Sequence, residues 1–239
     1  MWTKICGITT ISDAVNAART GVDAIGLNFY PRSKRFVDPA TAAELVAAIR
    51  HCDQRILCVG VFVNATLAEI CETTDRNRLH CVQFHGDESD DLMHAFHQAR
   101  PEVSIIRAFR ARAENLSDLL ESVRHLISRI PLKACLLDAH VGDQYGGTGC
   151  QLDRDVARRY LLHQDMPPMI LAGGLTDENV GEAILDLGPW GVDTASGVEV
   201  SPGIKNADLM QSFVRNARRA FLGRAESAAA AEENPRSDG

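Results

Sequence analysis

The sequence has no excess of positive charge: 25 Lys and Arg stand against 32 Asp and Glu, a net charge of −7. A broad nucleic-acid surface, which shows as surplus Lys and Arg, is therefore not expected. A small anion is a different matter, because backbone N–H groups hold phosphate on an acidic protein. No apolar run approaches the ~18 residues of a membrane span, so no membrane partner is expected. The opening Met1-Trp2-Thr3-Lys4-Ile5-Cys6-Gly7 lacks the apolar core of a signal peptide. The 7 cysteines are odd in number, widely spaced and without a C-x-x-C pair. That usage predicts a reduced, cytoplasmic protein with mostly buried free thiols. The 8 histidines form no H-E-x-x-H set. His94 and His97, three apart in a polar run, read as solvated rather than as ligands, and no metal site is expected.

What is present is a repeating alternation. Short apolar runs at Thr3–Cys6, Ala24–Phe29, Leu57–Val63, Cys81–His85, Val103–Phe109, Ala134–Asp138, Met169–Ala172 and Val192–Thr194 read as strands buried on both faces. Amphipathic helical patterns begin between them near Thr10, Pro39, Thr66, Ser89, Asn115, Leu152, Thr176 and Asn206. Thr66-x-x-Glu69 has the spacing of a capping box. Eight strand–helix units of about 28 residues predict a single (β/α)₈ barrel of the phosphate-binding type. An open doubly wound sheet would carry its glycines after the first strand; here they follow strands six, seven and eight. From Arg224 the composition shifts to Ala and Glu with little to bury. Residues 1–223 are thus expected to form the barrel and 224–239 a disordered acidic tail, with a helical stub as the alternative.

In such a barrel the strand C-termini and the loops after them form the active face. Cys6 ends strand one, and its thiol is close enough to neutral in reference pKa to accept a proton if thiolate is stabilised. The plainer reading is a small buried apolar residue. Asp138 follows four apolar residues at the end of strand six, where desolvation would raise its pKa and suit it to general acid work; a loop hydrogen-bond acceptor is the rival. Gly146-Gly147-Thr148-Gly149, Gly173-Gly174 and Ser196-Gly197 bring flexible backbone to the last three loops, as an anion site requires. Arg35 can pair bidentately with a carboxylate or simply belong to a solvated basic loop. Asp193 ends strand eight, and His85, beside Gln83, ends strand four as either a structural or a catalytic group.

Taken in order, these motifs resemble the phosphoribosylanthranilate isomerase family. They are Lys-Ile-Cys-Gly-Ile-Thr at 4–9, Ser-Lys-Arg-Phe-Val at 33–37, Val-Gly-Val-Phe-Val-Asn at 59–64 and Val-Gln-Phe-His-Gly at 82–86. Leu-Leu-Asp at 136–138, Gly-Gly-Thr-Gly at 146–149, Leu-Ala-Gly-Gly-Leu at 171–175 and Ser-Gly-Val-Glu at 196–199 complete the set. The resemblance runs from Lys4 to about Arg219. It implies a cofactor-free Amadori rearrangement of N-(5-phosphoribosyl)anthranilate in tryptophan biosynthesis, on a monomer or homodimer. It assigns the general base to Cys6, the general acid to Asp138 and the substrate carboxylate to Arg35. Gly173, Gly174, Ser196 and Gly197 would take the phosphate, and Asp193 the substrate amine. Three places differ from the family pattern: Lys34 stands where Pro is frequent, Leu152-Asp153-Arg154 where an aromatic-Asp-Trp run is usual, and Ala195 where Ser is common. A related indole-glycerol-phosphate synthase would need a catalytic Lys and an N-terminal extension. The analogous histidine-pathway isomerase places Asp where Cys6 stands. A non-catalytic sugar-phosphate binder would need neither Cys6 nor Asp138.

Overall fold

The computed structural model describes residues 1–139 and 154–233. Eight strands alternate with helices: β1 (Trp2–Cys6), α1 (Ile11–Arg19), β2 (Ala24–Asn28), α2 (Pro39–Cys52), β3 (Leu57–Phe62), α3 (Leu67–Asn77), β4 (Cys81–Phe84) and α4 (Asp90–Ala99). They continue as β5 (Ser104–Ala111), α5 (Leu116–Ile127), β6 (Ala134–Ala139), α6 (Arg154–Leu161), β7 (Met169–Leu171), α7 (Val180–Leu187) and β8 (Gly191–Thr194). A 3₁₀ turn at Ser196–Val198, a two-stranded ribbon of β9 (Glu199–Ser201) and β10 (Ile204–Lys205), and α8 (Ala207–Glu233) follow. Strands β1 to β8 pair in sequence order and β8 returns to β1, closing a parallel barrel. This is the (β/α)₈ architecture expected from the alternation.

The period of two along each strand divides the apolar residues into two sets. Trp2, Ala24, Val59, Cys81, Ile106, Ala134, Leu136 and Ile170 pack together inside the barrel. The alternate residues, such as Ile5, Ile25, Cys58, Val82 and Leu137, pack outward against the helices. The inward set of β1 is therefore Trp2, Lys4 and Cys6, in rising order toward the mouth. That one register rule carries Cys6, Gly26, Gln83, Asp138 and Asp193 into the same space.

Local chemistry fixes the helix starts. Thr66 and Glu69 form the reciprocal capping box: Thr66 Oγ1 accepts from Glu69 N at 3.3 Å, and Glu69 Oε2 accepts from Thr66 N at 2.8 Å. Thr10 and Ser89 cap α1 and α4 from their side chains. The helix expected from Thr176 begins instead at Val180. Val180 N donates to the Thr176 carbonyl at 3.1 Å, Thr176 N donates to Asn179 Oδ1 at 2.9 Å, and Asn179 Nδ2 donates to the Gly174 carbonyl, so a capped turn from Thr176 leads into the helix and ties it to the loop after β7. The boundary expected at Arg224 does not interrupt α8, whose helical backbone runs on to Glu233. Ala/Glu-rich sequence has good helix propensity, so an established helix extends through it. The Gly146–Gly149 motif, Cys150, and the expected start at Leu152 lie outside the described residues. The six described cysteines are unpaired; Cys58, Cys81 and Cys135 are buried, and Cys52 is exposed. Among the described residues no helix is long and apolar enough to cross a membrane.

Candidate active site

The C-terminal ends of the strands surround a cavity that opens to solvent. Cys6 and Asp138 both face it, from β1 and β6, three strands apart around the barrel. Arg35, Asp193, Gly173, Gly174, Ser196 and Gly197 line the same cavity, so every described residue expected at the site reaches it.

Cys6 sits above a buried ion pair. The β1–β8 register sets Lys4 opposite Asp193, and Lys4 Nζ lies 2.8 Å from Asp193 Oδ2 with no exposure of the lysine side chain. Gly26, opposite Cys6 on β2, makes the room: a Cβ there would stand 2.6 Å from Cys6 Sγ and 3.1 Å from Lys4 Cε. The thiol and the lysine thus share one small space. Desolvation pushes the Cys6 thiol up, and the cations of Lys4 and Lys205 pull against it. Burial alone would lower Lys4, but the Asp193 carboxylate and Cys6 outweigh it and hold the ammonium charged. Asp193 Oδ1 is buried and makes no hydrogen bond among the described residues, so it can accept one from a ligand.

Asp138 is nearly buried, at 6% exposure. His85 Nε2 lies 3.5 Å from Asp138 Oδ2, and the other ring nitrogen, Nδ1, is 2.9 Å from Gln83 Nε2. An amide donating to Nδ1 leaves the ring proton on Nε2, facing the carboxylate. Gln83 therefore orients His85, and His85 stands beside Asp138.

The two described glycine loops meet. Gly173 and Gly174 have φ of 86° and 63°, a left-handed conformation that glycine adopts without strain. Gly197 packs so closely on the Leu175 carbonyl that any Cβ would overlap it. Thr194 Oγ1 donates to the same carbonyl at 2.7 Å and ties the end of β8 to the loop after β7. Adjacent backbone held in this way presents N–H groups to an anion.

Arg35 is not part of a solvated basic loop. Its Nε and NH2 donate to the two carboxylate oxygens of Glu199 at 2.8 and 2.7 Å, and its side chain is 12% exposed. Glu199 also accepts from Lys205 Nζ at 2.7 Å, and Lys205 is buried. Burial would raise the Glu199 carboxyl, but Arg35 and Lys205 prevail and hold it below its ordinary value. Lys4, Gln83, Glu199 and Lys205 are the polar groups that sequence reasoning left without a role. Lys4 had a readable signal: it lies two residues before Cys6, hence on the same strand face. Lys205 had none, since its pairing depends on a turn that brings it back to Glu199.

The sequence profile of the family described as N-(5'phosphoribosyl)anthranilate (PRA) isomerase matches residues 3–216. The chain belongs to this family. An N-(5'-phosphoribosyl)anthranilate isomerase of Geotalea uraniireducens is 40% identical over 215 residues, spanning 90% of this chain and 97% of the relative. That of Neisseria meningitidis serogroup B is 40% identical over 218 residues, 91% and 96% of the two chains. Among solved structures, the phosphoribosyl anthranilate isomerase of Thermotoga maritima superimposes with a TM-score of 0.78 at 31% identity, covering 92% of this chain and 99% of that one. Another isomerase structure holds reduced 1-(o-carboxyphenylamino)-1-deoxyribulose 5-phosphate and superimposes with a TM-score of 0.74 at 30% identity. A 3-hexulose-6-phosphate synthase, 14% identical with a TM-score of 0.66, shares the fold alone.

Proposed function

We propose that Cys6 and Asp138 are the base and acid of the isomerisation of N-(5'-phosphoribosyl)anthranilate to 1-(2-carboxyphenylamino)-1-deoxyribulose 5-phosphate. Membership of the family makes this chain an aldose–ketose isomerase of tryptophan biosynthesis. The observation that carries the residue roles is that Cys6 and Asp138 face one cavity whose rim holds a cation on one side and two glycine loops on another.

The reaction moves hydrogen within one molecule and needs an acid, a base and two anchors. Asp138, in its protonated form, gives a proton to the furanose ring oxygen. The C1'–O bond breaks and the amine nitrogen forms an iminium. The iminium acidifies the C2' proton, which the Cys6 thiolate removes to give an enolamine. Protonation at C1' and loss of the C2' hydroxyl proton then yield the ketone. A buried cation beside the sulfur favours thiolate, which is what Lys4 supplies. Arg35 holds the anthranilate carboxylate through the guanidinium edge that Glu199 leaves open. Gly173, Gly174, Ser196 and Gly197 hold the phosphate through backbone N–H groups, and Asp193 Oδ1 accepts from the substrate amine. No step calls for a cofactor or a metal.

The test is the fall in substrate fluorescence on adding the enzyme to freshly prepared phosphoribosylanthranilate. Cys6→Ala and Asp138→Asn, each checked by circular dichroism, should lose ~10²-fold or more in kcat. Turnover that survives either substitution removes that residue from the mechanism, and binding without wild-type turnover points to a non-catalytic barrel. A Thermotoga maritima relative is described as dimeric. Sedimentation of this chain decides between monomer and homodimer.

A further inference from the structure

Glu199 stands between the two anionic ends of the site. A guanidinium offers two bidentate edges, Nε with NH2 and NH1 with NH2. Glu199 occupies the first edge of Arg35 at 2.8 and 2.7 Å. NH1 makes no hydrogen bond among the described residues, and Arg35 lines the cavity. The arginine stem packs against Gly7, where any Cβ would overlap its Cδ. On the other side Glu199 holds Lys205 Nζ at 2.7 Å, and that ammonium donates to the Ala195 carbonyl at 2.9 Å. Ala195 directly precedes Ser196 and Gly197. The ribbon that carries Glu199 and Lys205 is itself fixed: Thr9 Oγ1 donates to the Gly203 carbonyl, and Asp13 accepts from Lys205 N at 3.1 Å.

We propose that Glu199 is a positioning residue that aims Arg35 at the substrate carboxylate and, through Lys205, sets the loop that takes the phosphate. This rests on the reading of Arg35 and of Ser196 and Gly197 as the two anchors. It has a rival in plain charge neutralisation, with Glu199 merely offsetting two enclosed cations. The two make opposite predictions. Removing a negative charge beside an anion site tightens anion binding if charge is all that matters. Releasing a guanidinium and a loop from a fixed geometry weakens it.

Glu199→Gln and Glu199→Asp are compared with wild type, with folding followed by circular dichroism and thermal melts. The second variant keeps the charge and withdraws it by one methylene, so it reads geometry alone. Each is assayed for kcat and KM, and for calorimetric binding of anthranilate and of inorganic phosphate as separate probes. The expected result is KM raised by about tenfold or more in both variants, the loss of roughly one charge-assisted hydrogen bond. Values of kcat should stay within about threefold, and both probes should bind more weakly. In an Arg35→Ala background, Glu199→Gln should add little further loss of anthranilate binding. Unchanged or tighter binding in Glu199→Gln, normal constants in Glu199→Asp, weakening of one probe alone, or full additivity with Arg35→Ala each overturns the proposal. Absence of wild-type turnover would instead strike the isomerase reading, and the calorimetry would still decide the role of Glu199.

Discussion

In the proposed mechanism Cys6 is a weak base made useful by what lies under it. Desolvation pushes its thiol up, and Lys4, sealed from solvent and paired with Asp193, opposes the rise. Replacing Lys4 by Met removes a cation that favours thiolate. The ascending limb of the kcat/KM–pH profile should then move upward by roughly one unit. Activity at neutral pH should fall, with recovery at higher pH. A limb that stays in place would show that Lys4 serves only the fold. Asp138 was readable because a carboxylate ends an apolar strand, where burial without function is hard to explain, and Cys6 because it ends strand one at the barrel mouth. Lys4's place on the face of Cys6 was legible from the period of two, but its pairing was not, because Asp193 becomes its neighbour only when β1 closes against β8.

The strands of the barrel were legible because parallel strands buried on both faces read as continuous apolar runs. The loops were less so. The entry to α7 near Thr176 is a turn in which Thr176 and Asn179 bond to each other and to the loop after β7, and the regular helix runs from Val180. The ribbon of β9 and β10 was not foreseen at all. Its strands are 3 and 2 residues long, too short for any period to show. Yet it supplies Glu199 and Lys205. At this scale the contact of Gly197 with the Leu175 carbonyl makes a firm prediction. Gly197→Ala must push two loops apart, since backbone, not a flexible side chain, stands in the way. Phosphate should bind at least about tenfold more weakly by calorimetry, with the circular dichroism spectrum unchanged. Thr66→Ala, in contrast, should leave activity intact and cost about 1 kcal/mol of stability in denaturant titrations, the usual worth of an N-cap.

For the whole molecule, the network around Glu199 contributes to acid stability. Its carboxyl is held below its ordinary value by Arg35 and Lys205, against the opposing effect of burial. A depressed carboxylate contributes stability that is fully present above its unfolded pKa of about 4.3 and is lost as pH falls through its folded value. The melting temperature should therefore hold from pH 7 to about pH 5 and drop below about pH 4. Glu199→Gln should flatten that drop, and an equally steep fall in the variant would place the acid sensitivity elsewhere. The last helix offers a second check. Arg224 NH1 donates to the Leu185 carbonyl at 2.9 Å, joining α8 to α7 at the point where the expected domain limit falls. We propose that the barrel is complete there: a chain ending at Arg224 should melt within about 2 °C of the full chain. A larger loss in calorimetry would make the helical extension part of the fold.

The space above Gly26 has a consequence for genetics. Cys6 and Lys4 occupy the volume that any other residue's side chain would claim. An alanine there leaves the apolar layers untouched and displaces the proposed base, so it should yield a full-length, abundant, inactive enzyme. A mutational scan that scores protein abundance beside growth without tryptophan should find residue 26 among its widest disagreements, at a position outside the cavity lining.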